Sequence, residues 1–150
     1  MNLTVDASVF VAASRADEVH HQASRQFLQQ IQAQQCDLYC PTLVLPECSA
    51  AIARPTADAQ LAEELVLLIQ SLPRLHLVPL DVTLAQHASQ VARDHRLRGA
   101  DSVYVSVAGI FDSKLVAWDA ELLERGARAC YALSCLSVVY SGHDTKKLSQ

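Results

Sequence analysis

The stretch NLTVDASVFVAA, residues 2–13, decides how the rest of the chain is read. Leu3 and Val5 flank Thr4 in a short β-prone run, and Ser8 can cap a helix that follows over 9–13. Asp6 then stands at the carboxyl end of a strand, on the sheet edge where α/β proteins place their ligands. Three more carboxylates, Glu47, Asp101 and Asp119, recur far down the chain in equivalent local settings.

Beyond this opening, Ala23, Phe27 and Ile31 are spaced by four and predict a helix over 19–34. Residues 38–40 read as a second strand running into the Pro41 turn. Proline is tolerated near a helix start, so Pro46 places Glu47 in or close to a first turn. That helix runs to Arg54, where Pro55 is expected to break it and Thr56 to cap the next, over 57–72. Leu61, Leu65, Leu68 and Leu72 form one stripe on it, and Val66, Leu67 and Ile69 add apolar residues elsewhere. Deep burial between neighbours and a subunit interface explain that excess equally well. A third strand is expected at 75–78 and a helix at 82–95 with Leu84, Ala88, Val91 and Ala92 inward. Gly99 supplies a turn.

Residues 103–110 fit both periods, and the rhythm of the chain favours a helix opened by Asp101. A strand over 114–118 ends at Asp119, a short helix spans 120–125, and Gly126 stops it. One more strand is expected within 127–140, followed by a polar, fraying end over 142–150. Strands alternate with helices throughout. The expected fold is α/β, a single-domain three-layer sandwich over 1–150 with a mostly parallel sheet flanked by helices.

Bulk properties narrow the function. With 150 residues, 51% hydrophobic and 19% charged, the chain can bury a full core. The opening residues carry no cationic region ahead of an apolar run, and the longest aliphatic block is only residues 65–69, which predicts a cytoplasmic protein with no membrane span. Cys36, Cys40, Cys48, Cys130 and Cys135 make no CxxC pair, so reduced, buried thiols are expected rather than zinc or redox chemistry. A net charge of −4 means that nucleic acid must be held by a local patch or a metal.

In a sandwich of this kind the strand carboxyl ends and the following helix amino ends share one edge, so all four acids should face one crevice. Helix amino ends favour an anion by about 0.3–1 kcal/mol, whereas two carboxylates about 4 Å apart repel by about 4 kcal/mol at an effective dielectric near 20. A hard divalent cation offsets that repulsion, and an all-oxygen donor set selects Mg²⁺ or Mn²⁺. Metal-activated water attacking phosphorus is the implied chemistry, hence phosphodiester hydrolysis. Of the nearby side chains, Arg98 lies three residues before Asp101, and Ser8 and Ser102 could orient a water or cap helices. Singly, each acid also has an ordinary reading as a helix-start or capping residue.

The segments VDASVF, LPECSAAIAR, RGADSVYVSVA and KLVAWDAELLERG, taken in order and spacing, resemble the PIN-domain nucleases, particularly the VapC-type toxins of toxin–antitoxin pairs. The resemblance implies a Mg²⁺- or Mn²⁺-dependent endoribonuclease with Asp6, Glu47, Asp101 and Asp119 catalytic and Asp6, Asp101 and Asp119 on the metal. It further implies a dimer, an RNA substrate and a small antitoxin protein whose tail occupies the groove. Ser8 matches the hydroxyl residue often found two places after the first aspartate. Ala117 departs from the threonine or serine usual two places before the last acid, and the tail with Cys130, Tyr131 and Cys135 departs from the usual charged ending. Two other classes remain: a PIN-like module that binds RNA or protein with little catalysis, and a receiver-like phosphotransfer domain with Asp6 as acceptor.

Overall fold

A computed structural model describes residues 1–129 and 132–134. In chain order the elements are β1 (Asn2–Val5), α1 (Ala7–Ser14), α2 (His21–Ala33), β2 (Asp37–Pro41), α3 (Val44–Thr56), α4 (Ala59–Gln70), β3 (Leu75–Val78), α5 (Val82–His95), α6 (Gly99–Ile110), β4 (Lys114–Ala117), α7 (Ala120–Gly126) and β5 (Ala132–Ser134). The strands form one sheet in the order β3-β2-β1-β4-β5, and every pairing in it is parallel. Helices flank the sheet, giving the expected three-layer α/β sandwich.

The order places the site. From β1 the chain winds outward through β2 and β3, then crosses back to lay β4 on the other side of β1 and β5 beyond it. Between β1 and β4 the winding reverses, and a crevice opens beyond their carboxyl ends. Register across this junction pairs Val5 with Val116, and the Asp6 N–H continues the ladder by donating to the Val116 carbonyl at 2.9 Å.

Leu3, Val5, Leu115, Val116 and Ala117 are fully buried, as expected of central parallel strands covered on both faces. The main core joins them to Phe10 of α1, Phe27 and Ile31 of α2, Ile52 of α3, Leu65 and Ile69 of α4, and Tyr104 of α6. A smaller cluster of Leu84, Ala88, Val103 and Val107 packs α5 on α6. Inside the main core Cys36, Cys40 and Cys48 are free and buried, and burial pushes the Cys40 thiol up to about 12, so it stays protonated and unreactive. Cys130, Tyr131 and Cys135, and the end over 142–150, lie outside the described residues. No helix among the described residues is long and apolar enough to cross a membrane.

Several local expectations are corrected. Pro55 does not break α3 but sits in its last turn; the helix ends one residue later at Thr56, and the capping residue Ala57 has a left-handed backbone (φ 54). Thr56 does not cap α4; its hydroxyl donates back to the Ile52 carbonyl at 2.6 Å, and Asp58 caps instead, accepting from the Leu61 N–H at 2.9 Å. Ser8 does not cap α1, because Asp6 holds that position. Gly99 is the first residue of α6 rather than a turn before it. The α2 helix begins at His21, leaving Val19 87% exposed. On α4 the buried face is Ala62, Leu65 and Ile69, while Leu67 and Leu68 face outward.

Candidate active site

Asp6 follows β1 and caps α1, its Oδ2 accepting the Ser8 N–H at 2.9 Å. Asp119 follows β4 by one residue and caps α7, with Oδ1 accepting the Leu122 N–H at 2.9 Å. Glu47 lies in the first turn of α3 and Asp101 in the first turn of α6. Thus two acids are placed by strand ends and two by helix starts, as the sequence predicts. All four line one open cleft of about 770 Å³, shared with Ser8 and Arg54.

The electrostatics show an anionic cluster that Arg98 compensates only in part. Asp6 is buried, and that burial raises its carboxyl above the ordinary range, against the lowering effect of its bonds to Ser8; the Asp119 charge raises it further. Asp101 is pushed up to about 6, by burial first and then by the Asp119 and Asp6 charges, with Arg98 opposing. Glu47 is raised by burial and by Asp6 and Asp101, while a hydrogen bond from Tyr104 pulls the other way. Asp6, Glu47 and Asp101 thus resist ionising, first because they are buried and then because other acids are near.

The two supporting residues differ in role. Ser8 lines the cleft, but its Oγ is engaged in accepting the Trp118 N–H at 3.1 Å, which pins the end of β4 to the first turn of α1. Arg98 is not on the cleft lining. It pairs with Glu121 at 3.0 Å and approaches Asp119 Oδ2 only to 3.7 Å, so it belongs to a surface network that continues from Glu121 to Arg125 at 3.0 Å. Ser102 turns away to donate to the Gly99 carbonyl. Ala117 is fully buried in β4.

Three contributors escape the sequence reading. Tyr104 is buried and donates its hydroxyl to Glu47 Oε2 at 2.5 Å; a tyrosine in an apolar run three residues past an acid was the available signal, since a buried hydroxyl needs a partner. Arg54 shares a face of α3 with Glu47, seven residues and two turns away. Trp118 stacks on His20 with ring centroids 3.7 Å apart and an interplanar angle of 4°, and its Nε1 donates to the Ser24 hydroxyl at 2.8 Å. That indole locks the loop before α2 against the residue next to Asp119.

Carboxylate oxygens are the donors a hard divalent cation takes, and a half-buried cluster of carboxyls, three of which are raised by burial and by neighbouring acids, is one that a cation would stabilise. The residues therefore fit Mg²⁺ or Mn²⁺ in kind and in charge. Among the described residues no three Asp, Glu, His or Cys side chains are gathered closely enough to clasp an ion as they stand; the two capping bonds hold Asp6 and Asp119 to the helices they cap, and the Tyr104 bond ties Glu47 of α3 to α6.

Comparison with known proteins agrees with this geometry. Solved structures of similar fold include PAE2754 from Pyrobaculum aerophilum (18% identity over 94% of each chain, TM-score 0.67). Another is VapBC2 from Rickettsia felis bound to a DNA fragment from its promoter (12% identity, 89% of this chain and 98% of that one, TM-score 0.68). A third is Mycobacterium tuberculosis VapC20, described as a sarcin-ricin loop cleaving toxin (16% identity, 80% and 92%, TM-score 0.67). At such identities the likeness is one of fold. No curated protein matches the sequence. The PIN domain model, however, matches residues 3–128, a span that runs from β1 through α7 and takes in all four clustered acids. The chain belongs to the PIN domain family.

Proposed function

We propose that the chain is a divalent-metal-dependent endoribonuclease, the toxin of a toxin–antitoxin pair, acting in the cytoplasm as one nuclease domain over 1–150. The observation that carries this reading is the meeting of Asp6, Glu47, Asp101 and Asp119, from four separate elements, in one open cleft at the sheet's switch point. Asp6, Asp101 and Asp119 would hold Mg²⁺ or Mn²⁺. When bound, such an ion supplies a water of lowered pKa and neutralises charge building on the phosphate. The chain's own residues orient the reaction: Tyr104 ties Glu47 Oε2, leaving Oε1 free to accept a proton in the cleft. RNA as substrate, an antitoxin protein as partner and a homodimer as the working form follow from the family resemblance, and the likeness to VapBC2 and to VapC20, the latter described as a sarcin-ricin loop cleaving toxin, supports the toxin reading.

The test is substitution of the acids with their amides. Asp6→Asn and Asp101→Asn should each lower cleavage of labelled RNA in Mg²⁺ or Mn²⁺ by about 10³-fold or more, several kcal/mol of barrier. Asparagine caps a helix as well as aspartate, so Asp6→Asn should fold normally, and its metal-free melting temperature should stay level or rise as repulsion is relieved. Wild-type cleavage by Asp6→Asn at saturating Mg²⁺ would overturn the four-acid site and leave Asp6 a helix cap. Loss of RNA cleavage in every protein, wild type included, with binding retained, would instead favour the binding-module reading.

A further inference from the structure

Arg54 stands in the last turn of α3 and lines the acidic cleft, the one cation among its lining residues. Seven residues separate it from Glu47, so it lies two turns and about 10 Å along the same face of the helix. The side chains between them on the cleft wall are Ala50 and Ala51, which leave an open floor. Among the described residues Arg54 makes no ion pair and no hydrogen bond through its side chain. The contrast with Arg98 is direct, since that guanidinium is taken up by Glu121 and Asp119.

An unpaired guanidinium two helical turns from Glu47 makes no ion pair with the acids of the cleft it shares. It is well placed to receive an anion lying along the alanine floor. Its planar fork matches phosphate oxygens in bidentate fashion. We infer that Arg54 binds a phosphate of the substrate strand next to the one being cleaved, setting where the strand lies relative to the four acids. This assignment rests on the nuclease reading. It also answers how a chain of net charge −4 can hold a polyanion: one local cation gives register while the metal-loaded acids take the reacting phosphate.

The experiment measures steady-state cleavage of a labelled random-sequence single-stranded RNA with Mg²⁺ or Mn²⁺, across about 50 to 200 mM salt, for wild type, Arg54→Gln, Arg54→Lys and Arg93→Gln. Arg93, on α5 and outside the cleft, controls for net charge. Arg54→Gln should raise KM about tenfold with kcat changed less than about twofold, as expected for losing one charged hydrogen-bond pair to substrate. The slope of log kcat/KM against log salt should become shallower by about 0.7, one phosphate contact on a single strand. Arg54→Lys should keep the slope while recovering only part of KM, and Arg93→Gln should change neither. Wild-type KM and slope in Arg54→Gln, while the wild type cleaves, would overturn the Arg54 assignment alone. An equal effect from Arg93→Gln would also overturn it. A wild type that neither binds nor cleaves RNA with metal present would overturn the nuclease reading and this inference together.

Discussion

Tyr104 and Glu47 show how a single buried hydroxyl can bear on the state of a carboxylate in the cleft. The phenol donates at 2.5 Å to a glutamate that burial and two neighbouring aspartates make reluctant to ionise. Tyr104→Phe removes that donor without opening a cavity. The expected result is a loss of about 1–2 kcal/mol of stability, at the low end for a hydrogen bond to a charged group because Glu47 is only partly buried. Glu47 should also titrate higher, and cleavage should fall by less than in Asp6→Asn. Urea midpoints and a pH–rate profile check this; an unchanged midpoint and profile would mean the bond contributes nothing. The acids were legible in the sequence because each follows a β-prone run or opens a helix, a local signal. Tyr104 and Arg54 were not singled out, because a tyrosine in the run VYVSV and an arginine before a proline look like ordinary core and helix-end residues. Only the hydrogen bond from α6 to α3 reveals the one, and only the cleft's extent reveals the other.

At the level of elements, α4 carries a prediction about assembly. A helix buried on all sides would hide its leucines, yet Leu67 and Leu68 are 58% and 60% exposed while Ala62, Leu65 and Ile69 fill the core. Burial on every side is therefore not the reason for its apolar excess, and the homodimer proposed above predicts that these two leucines lie in its interface. Sedimentation at tens of micromolar should give twice 16.4 kDa, and Leu67→Glu with Leu68→Glu should reduce it to a monomer. A wild-type monomer at that concentration would refute the homodimer. Of the leucine stripe, Leu65 is buried and Leu61 and Leu72 pack against the core, while Leu68 faces outward. Proline was expected to end α3, but in a final turn it forfeits one bond, and the Thr56 hydroxyl meets the nearby Ile52 carbonyl. The stop falls instead on Ala57 in left-handed backbone, a residue type with no sequence signature for that conformation. The helix start thus moves to Ala59, with Asp58 as its cap.

For the molecule as a whole, the clustered acids make stability depend on pH and on metal. The folded-state pKa values of Asp6, Glu47 and Asp101 are raised, so between about pH 4, where unfolded carboxyls titrate, and about 6, the value for Asp101, the folded chain holds protons that the unfolded chain has released. Metal-free stability must then fall as pH rises through that window. Asp17 and Asp37 run the other way: the hydrogen bond from Arg15 lowers the first, those from Arg74 and His76 the second. Their contribution is present above the ordinary carboxyl range and lost in more acid solution. Calorimetry in chelator should show the melting temperature declining from pH 4 to 6, and millimolar Mg²⁺ or Mn²⁺ should restore it most above pH 6, where the acids are ionised and a ligand of the folded state stabilises by mass action. A flat or rising chelator profile would contradict this. The α/β class was readable from the alternation of strand and helix runs. The strand order was not, because β1–β4 pairing joins residues more than a hundred positions apart, and no local pattern encodes which buried strand lies beside which.

The stacked indole of Trp118 has one more consequence. It is the chain's single tryptophan, it lies face to face with His20, and one peptide bond separates it from Asp119. The native protein therefore carries an intrinsic fluorophore at the edge of its acidic cleft. Its emission comes from one place only, so a displacement of the residues around Asp119, or detachment of the loop that bears His20, can be followed by light without any label.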